Sequence, residues 1–181
     1  MGQPKTTRKT NTFARAQPKL QRVDIRKSAY DKNQKPKVRA RCRFVHGDAF
    51  KFLHNLKPGS VDLIISSPPY CMGKEYEKSL KIEDFIAAHE VLAPLLARAL
   101  RNGGSLCWQV GHHVQQSVVT PLDAIVYPIF AKEKDFLLRN RIVWTFGHGV
   151  HATKRFSGRH ETVLWFTKGR DHHFNLDAII P

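Results

Sequence analysis

Val61-Asp62-Leu63-Ile64-Ile65-Ser66-Ser67-Pro68-Pro69-Tyr70 is the stretch from which the rest of the chain can be ordered. Val61 to Ile65 is a nearly continuous apolar run, as a buried parallel strand requires. The run ends in two hydroxyls, two prolines and an aromatic ring. Two prolines fix the backbone and remove two donors, so a rigid turn is the plain reading of Ser-Pro-Pro-Tyr. Its setting says more. In open α/β sheets ligands bind beyond the carboxyl ends of the strands, and this turn sits there, one helix after a Gly-Asp.

Upstream, Arg43-Phe44-Val45-His46 reads as a short strand ending at Gly47-Asp48. Phe50, Leu53 and Leu56 then recur at helical spacing, and Lys57-Pro58-Gly59-Ser60 stops that helix. Downstream, residues 71–81 form a polar loop. Ile82 to Leu100 is a long amphipathic helix with Ile86, Leu92, Leu95, Leu96 and Leu100 on its inner side, and Asn102-Gly103-Gly104 caps it. Ser105 to Val110 is a third strand ending at Gly111, followed by a helix from about Pro121 to Lys134. Arg141 to Phe146 and Thr162 to Phe166 are two more strands. Strands alternating with helices predict an α/β domain, its sheet mostly parallel and its helices on both faces. Gly47-Asp48, Ser67 to Tyr70 and Gly111 then lie side by side on one sheet edge.

At 181 residues and 20.7 kDa the chain holds one ordinary domain. Hydrophobic residues make up 41%, enough for a globular core. No apolar run approaches the roughly 18 residues of a membrane span. No signal peptide is expected, and Cys42, Cys71 and Cys107 are too scattered for a disulfide scaffold, so a cytoplasmic, reducing compartment is expected. The net charge is +15, unevenly spread: residues 1–43 carry 14 Lys/Arg against Asp24 and Asp31. Residues 1–42 read as a basic, disordered arm and residues 43–181 as the folded domain. Such an arm favours a polyanion, DNA or RNA first; a solubilising tail or an address signal is the alternative.

His46-Gly47-Asp48, then Val61 to Tyr70, then Asn102-Gly103-Gly104-Ser105-Leu106, resembles the S-adenosyl-L-methionine-dependent DNA amino-methyltransferases, in the permuted group whose catalytic half comes first. The resemblance covers roughly residues 43–181. It implies a partial Rossmann-like methyltransferase sheet, S-adenosyl-L-methionine as cofactor, double-stranded DNA as substrate and a prokaryotic or phage modification system. Serine before Pro-Pro-Tyr goes in that family with cytosine N4; aspartate there goes with adenine N6.

The chemistry agrees. An exocyclic amino group is a poor nucleophile because its lone pair is delocalised into the ring. The Ser67 hydroxyl and the Pro68 carbonyl can accept its two N–H bonds, with Pro69 keeping the turn rigid. Tyr70 can stack on a base flipped out of the duplex. By the same resemblance Asp48 binds the adenine of the cofactor beside the Ala49 amide, with Ser67 close by; Asp48 also suits a helix N-cap.

Trp144 ends a strand where the family often has an aromatic near the target base; a core tryptophan is the alternative. Residues 147–160 are glycine-rich, basic and aromatic, which suits a loop over DNA phosphates carrying Lys154, Arg155 and Arg159. No histidine pair has metal-ligand spacing beside a third ligand, so no metal site is expected. The family also needs a Phe-x-Gly-x-Gly type loop for the methionine part of the cofactor, which this sequence lacks. The expectation is a second chain carrying that loop, or a homo-oligomer.

Overall fold

The computed structural model describes residues 42–70, 81–147 and 152–178. The basic arm, the polar loop of residues 71–80 and residues 148–151 lie outside them.

Asp48 opens the first helix, α1 (Ala49–Asn55), its side chain accepting the Lys51 amide proton at 2.8 Å. Strand β1 (Val61–Ser66) follows, then α2 (Ile82–Ala99) and β2 (Leu100–Val110). A hairpin of β3 (His112–Gln115) and β4 (Val118–Pro121) leads into α3 (Leu122–Phe130), and β5 (Phe136–Thr145) and β6 (His160–Lys168) complete the sheet. Helix α2 buries Phe85, His89, Ala93, Leu96 and Ala99, a stripe at three- and four-residue spacing. Its Arg98 guanidinium donates to the carbonyls of Leu56, at 2.7 Å, and His54, which ties the end of α1 to α2.

The main sheet runs β1-β2-β6-β5. Only β1 and β2 are parallel; β6 is antiparallel to both its neighbours. The α/β expectation holds, but the sheet is mixed rather than mostly parallel. Parallel neighbours need a helical crossover, and the segment between β5 and β6 has no helical periodicity. The two strands pair instead as the arms of a long-looped hairpin. Helices α2 and α3 pack on one face, over the buried Leu106, Trp108, Val110, Leu164 and Phe166. On the other face Leu63 and Ile65 are exposed, and Trp165 meets His172 and Phe174. The expected two-sided helical cover is therefore not seen among the described residues. Phe130 centres the core, with ring centroids 5.4–6.4 Å from those of Trp108, Phe136 and Phe166.

Two local expectations change. Residues 42–46 make no strand, and β1 pairs on one side only, with β2; extended chain becomes strand only where its amides find a partner. Gly103-Gly104 is no helix cap. Helix α2 ends when Leu100 turns extended, and both glycines lie within β2, beside the register shift between Val61 and Leu63. Gly103 has φ +76°, and a Cβ on Gly104 would lie 2.9–3.0 Å from the Leu100 side chain and the Arg101 and Asp62 carbonyls. Close backbone approach, not helix termination, requires glycine here.

Candidate functional site

Strand direction brings four chain segments to one sheet edge. The carboxyl ends of β1 and β2 deliver Ser67 to Tyr70 and Gly111. Because β6 runs against β2, its start, with His160 and Glu161, lies there too. Trp144 and Thr145, at the end of β5, pair with Glu161 and His160. The sequence expected Ser67 and Gly111 together, and the register brings them together. His160 and Glu161 join them only because the sheet is mixed.

Ser67 and Tyr70 close the turn on themselves: their hydroxyl oxygens are 2.7 Å apart. Tyr70 is only 8% exposed, and its hydroxyl also lies 3.4 Å from the Gln109 carbonyl. Burial, followed by the nearby Glu161 carboxylate, pushes the Tyr70 phenol above its ordinary pKa. The ring packs inward against Gly111, so in this arrangement it is not an open platform for a base.

Ser67, Pro68 and Pro69 form one wall of a cavity of about 510 Å³. Ile64 and Ile65 of β1, Ala49, Phe50 and Phe52 of α1, and Phe85 and His89 of α2 line the rest. Asp48 stands at the head of α1 as its N-cap, beside the lining residue Ala49. His89 forms the floor with Trp108. Its Nδ1 lies 2.7 Å from the Phe85 carbonyl, and its Nε2 accepts the Trp108 indole proton at 3.0 Å. These bonds define a neutral imidazole with the proton on Nδ1, and burial holds its pKa below the ordinary histidine value.

Trp144 is 60% exposed, which removes the core-tryptophan alternative. Beyond it, Phe146 N–H donates to the Arg159 carbonyl at 3.0 Å, closing the basic loop at its base. Lys154 and Arg159 are exposed, and Arg155 is half-buried with its guanidinium on the Phe156 carbonyl. Phe156 is 98% exposed. His112 meets the His160 ring edge-on at 4.9 Å; burial, then the charge of His160, lowers its pKa. Among the described residues no group of three His, Cys, Asp or Glu could hold a metal ion, and no helix is long and apolar enough to cross a membrane.

Sequence reasoning missed His89, Gln109 and Glu161. His89 shares a helical stripe with Phe85 and Leu96, a readable signal that its position is internal. Glu161 had no signal, since its importance depends on an antiparallel register.

A mixed α/β sheet with a cavity beyond the carboxyl ends of its parallel strands is the layout of an α/β ligand-binding domain. Comparison with known proteins narrows the class: residues 61–181 match the DNA methylase family N6_N4_Mtase, and the chain belongs to that family. The type II methyltransferase M.BglII of Bacillus subtilis is 40% identical over 138 residues, covering 76% of this chain and 38% of that protein. The DNA adenine methyltransferase YhdJ of Escherichia coli K12 is 30% identical over 142 residues, 75% of this chain and 45% of that one. This chain thus spans less than half the length of either relative. In fold it is similar to the cytosine-N4-specific PvuII DNA methyltransferase, with a TM-score of 0.59, 21% identity and coverage of 75% and 53%. It is also similar to the DNA modification methylase TTHA0409 of Thermus thermophilus, complexed with S-adenosyl-L-methionine, with a TM-score of 0.57, 23% identity and coverage of 75% and 58%.

S-adenosyl-L-methionine is the cofactor of such a family. The cavity fits part of it. Phe50, Phe52, Leu53, Ile64 and Ile65 make an apolar slot suited to an adenine ring, and the Ser66 and Ser67 hydroxyls stand at its end. Asp84 is the only carboxylate in the lining, which has no Lys or Arg to receive the methionine carboxylate.

Proposed function

We propose that the chain is the catalytic part of a DNA methyltransferase acting on the exocyclic N4 amino group of cytosine, within a bacterial restriction-modification system. The observation that carries this reading is Ser67 at the cavity wall, its hydroxyl held by Tyr70 at 2.7 Å. The cofactor supplies an electrophilic methyl group when bound. Ser67 Oγ and the Pro68 carbonyl accept the two N–H bonds of the target amine and turn its nitrogen towards that methyl. Pro68 and Pro69 hold the direction of those acceptors, so the chain contributes mainly orientation. Asp48 and the Ala49 amide lie at the adenine end, with Ser67 at the other.

The target base must leave the duplex to reach this edge. With Tyr70 packed inward, the exposed Trp144 is the aromatic surface available to it, and Lys154, Arg155 and Arg159 meet the phosphates. The arm of residues 1–42 adds affinity without sequence choice, so its deletion flattens the salt dependence of DNA binding. Groups for the methionine end come from another polypeptide, a second chain or a second copy; the absence of a basic side chain from the cavity lining supports this. The resemblance to an adenine methyltransferase at 30% identity supports a second reading, adenine N6.

The test is methyl transfer from labelled S-adenosyl-L-methionine to unmethylated duplex DNA, followed by nucleoside analysis, for the wild type and Ser67→Ala. Label in N4-methylcytosine, lost in Ser67→Ala, is the expected result. Label in N6-methyladenine moves the target to the second reading. Transfer that survives Ser67→Ala removes the site assignment.

A further inference from the structure

Glu161 plays no part in the function proposed above, yet it closes the hydrogen-bond chain that ends at Ser67. We infer that Glu161 is a positioning residue for that reaction: acting through Tyr70, it turns the Ser67 proton away from the substrate and leaves Ser67 Oγ as an acceptor alone. The inference rests on Ser67 being the group that receives the amino N–H.

The argument is one of proton counting. The Tyr70 hydroxyl has the Ser67 oxygen at 2.7 Å, the Gln109 carbonyl at 3.4 Å and the Glu161 carboxylate as partners. A phenol carries one proton, and a carbonyl and a carboxylate can only accept. The charged acceptor forms the stronger bond, so the Tyr70 proton goes to Glu161. Tyr70 must then receive from Ser67, whose single proton is thereby committed. What Ser67 offers the cavity is lone pairs, and a target N–H needs an acceptor. Reversed, the chain would aim the Ser67 O–H at the amine and set donor against donor.

The surroundings are built for this direction. Gln109 Nε2 donates to the other carboxylate oxygen of Glu161 and holds the carboxylate in place. Gly111 leaves the room that the phenol and the carboxylate share. A Cβ there would lie 3.3 Å from the Tyr70 ring and 3.4 Å from Glu161 Oε1. Pairing of Trp144 with Glu161, and of Val110 with Thr162, sets the carboxylate at this edge.

The experiment uses the full chain and four variants: Glu161→Gln, Tyr70→Phe, the double variant and Ser67→Ala. In Glu161→Gln the new amide keeps its oxygen for Gln109 and turns its nitrogen to Tyr70, which reverses the chain with little change of volume. The first readout is a pH titration of ring-¹³C-labelled tyrosine by NMR, with Tyr70 assigned by its disappearance in Tyr70→Phe. Glu161→Gln lowers the pH at which Tyr70 ionises; an unchanged midpoint overturns the inference, whether or not the chain transfers methyl groups by itself. The second is methyl transfer to a pool of unmethylated duplex DNA. Glu161→Gln and Tyr70→Phe each lower kcat about tenfold, the worth of one hydrogen bond, leave KM for S-adenosyl-L-methionine unchanged, and cost no more together than singly. Losses that multiply to roughly a hundredfold mean that the two residues act independently, and that also overturns it. Full transfer by Ser67→Ala refutes the site itself, while the tyrosine titration still judges the link between Glu161 and Tyr70.

Discussion

Replacing His89 by phenylalanine should destabilise the fold by an amount that shrinks as the pH falls. The imidazole is 2% exposed and neutral, donating from Nδ1 to the Phe85 carbonyl and accepting the Trp108 indole proton at Nε2. Phenylalanine keeps a ring in that space but leaves the Trp108 N–H buried without an acceptor, at a cost of about 1–3 kcal/mol. A domain of this size has roughly 5–15 kcal/mol in all, so the loss is readily measured at pH 7.5. Acid acts on the wild type alone. Burial lowers the folded-state pKa of His89, so its contribution is fully present above the unfolded-state value of about 6.5. It is lost as the pH falls from there towards the lowered folded-state value, because protonation sets a second donor against the Trp108 N–H. While only the unfolded chain takes up the proton, the slope is about 1.4 kcal/mol per pH unit. The gap between wild type and His89→Phe should therefore narrow steadily below about pH 6.5. His112, whose pKa is also lowered, titrates in both proteins and cancels in the difference. Urea unfolding followed by tryptophan fluorescence between pH 7.5 and 5 gives both curves. A gap that stays constant across that range would refute the neutral-histidine assignment.

Three further outcomes follow from the geometry. Gly104→Ala drives a methyl group into backbone at 3.0 Å between β1 and β2, and should cost about 1–3 kcal/mol in denaturant unfolding; Gly169→Ala, with φ +82° but nothing within 4 Å, should cost only about 1 kcal/mol. Arg141→Ala strips the ion partner from Asp123, a side chain only 6% exposed, and should lower stability by about 1–3 kcal/mol; Asp123→Asn in that background should recover part of it, as the unfolding midpoints will show. Changing Gln116-Ser117, both at positive φ in the turn between β3 and β4, to Asn-Gly should stabilise by about 0.5–1 kcal/mol and raise the melting temperature.

Local chemistry wrote much of this protein directly into its sequence. The Val61–Ile65 run, the capping Asp48, the period of α2 and the Pro-Pro turn each carry their own signal, because strand burial, capping and proline geometry act over a few residues. From them came the α/β class and the placing of Ser67 beyond a strand end. Three features could not be read that way. Gly103-Gly104 has the composition of a helix cap, and only the closeness of Asp62 on β1 shows that it serves a bulge. The hairpin of β3 and β4 turns on Gln116-Ser117, which lacks the usual glycine and is held by its paired strands. Tyr70 looked like a free aromatic until the start of β6 brought Glu161 beside it. The sequence by itself determined which residues are able to accept an N–H, hold an adenine or bind phosphate. Tertiary structure decided which of them meet and which way each hydrogen bond runs, because strand order and register are properties of the whole sheet and no stretch of ten residues contains them.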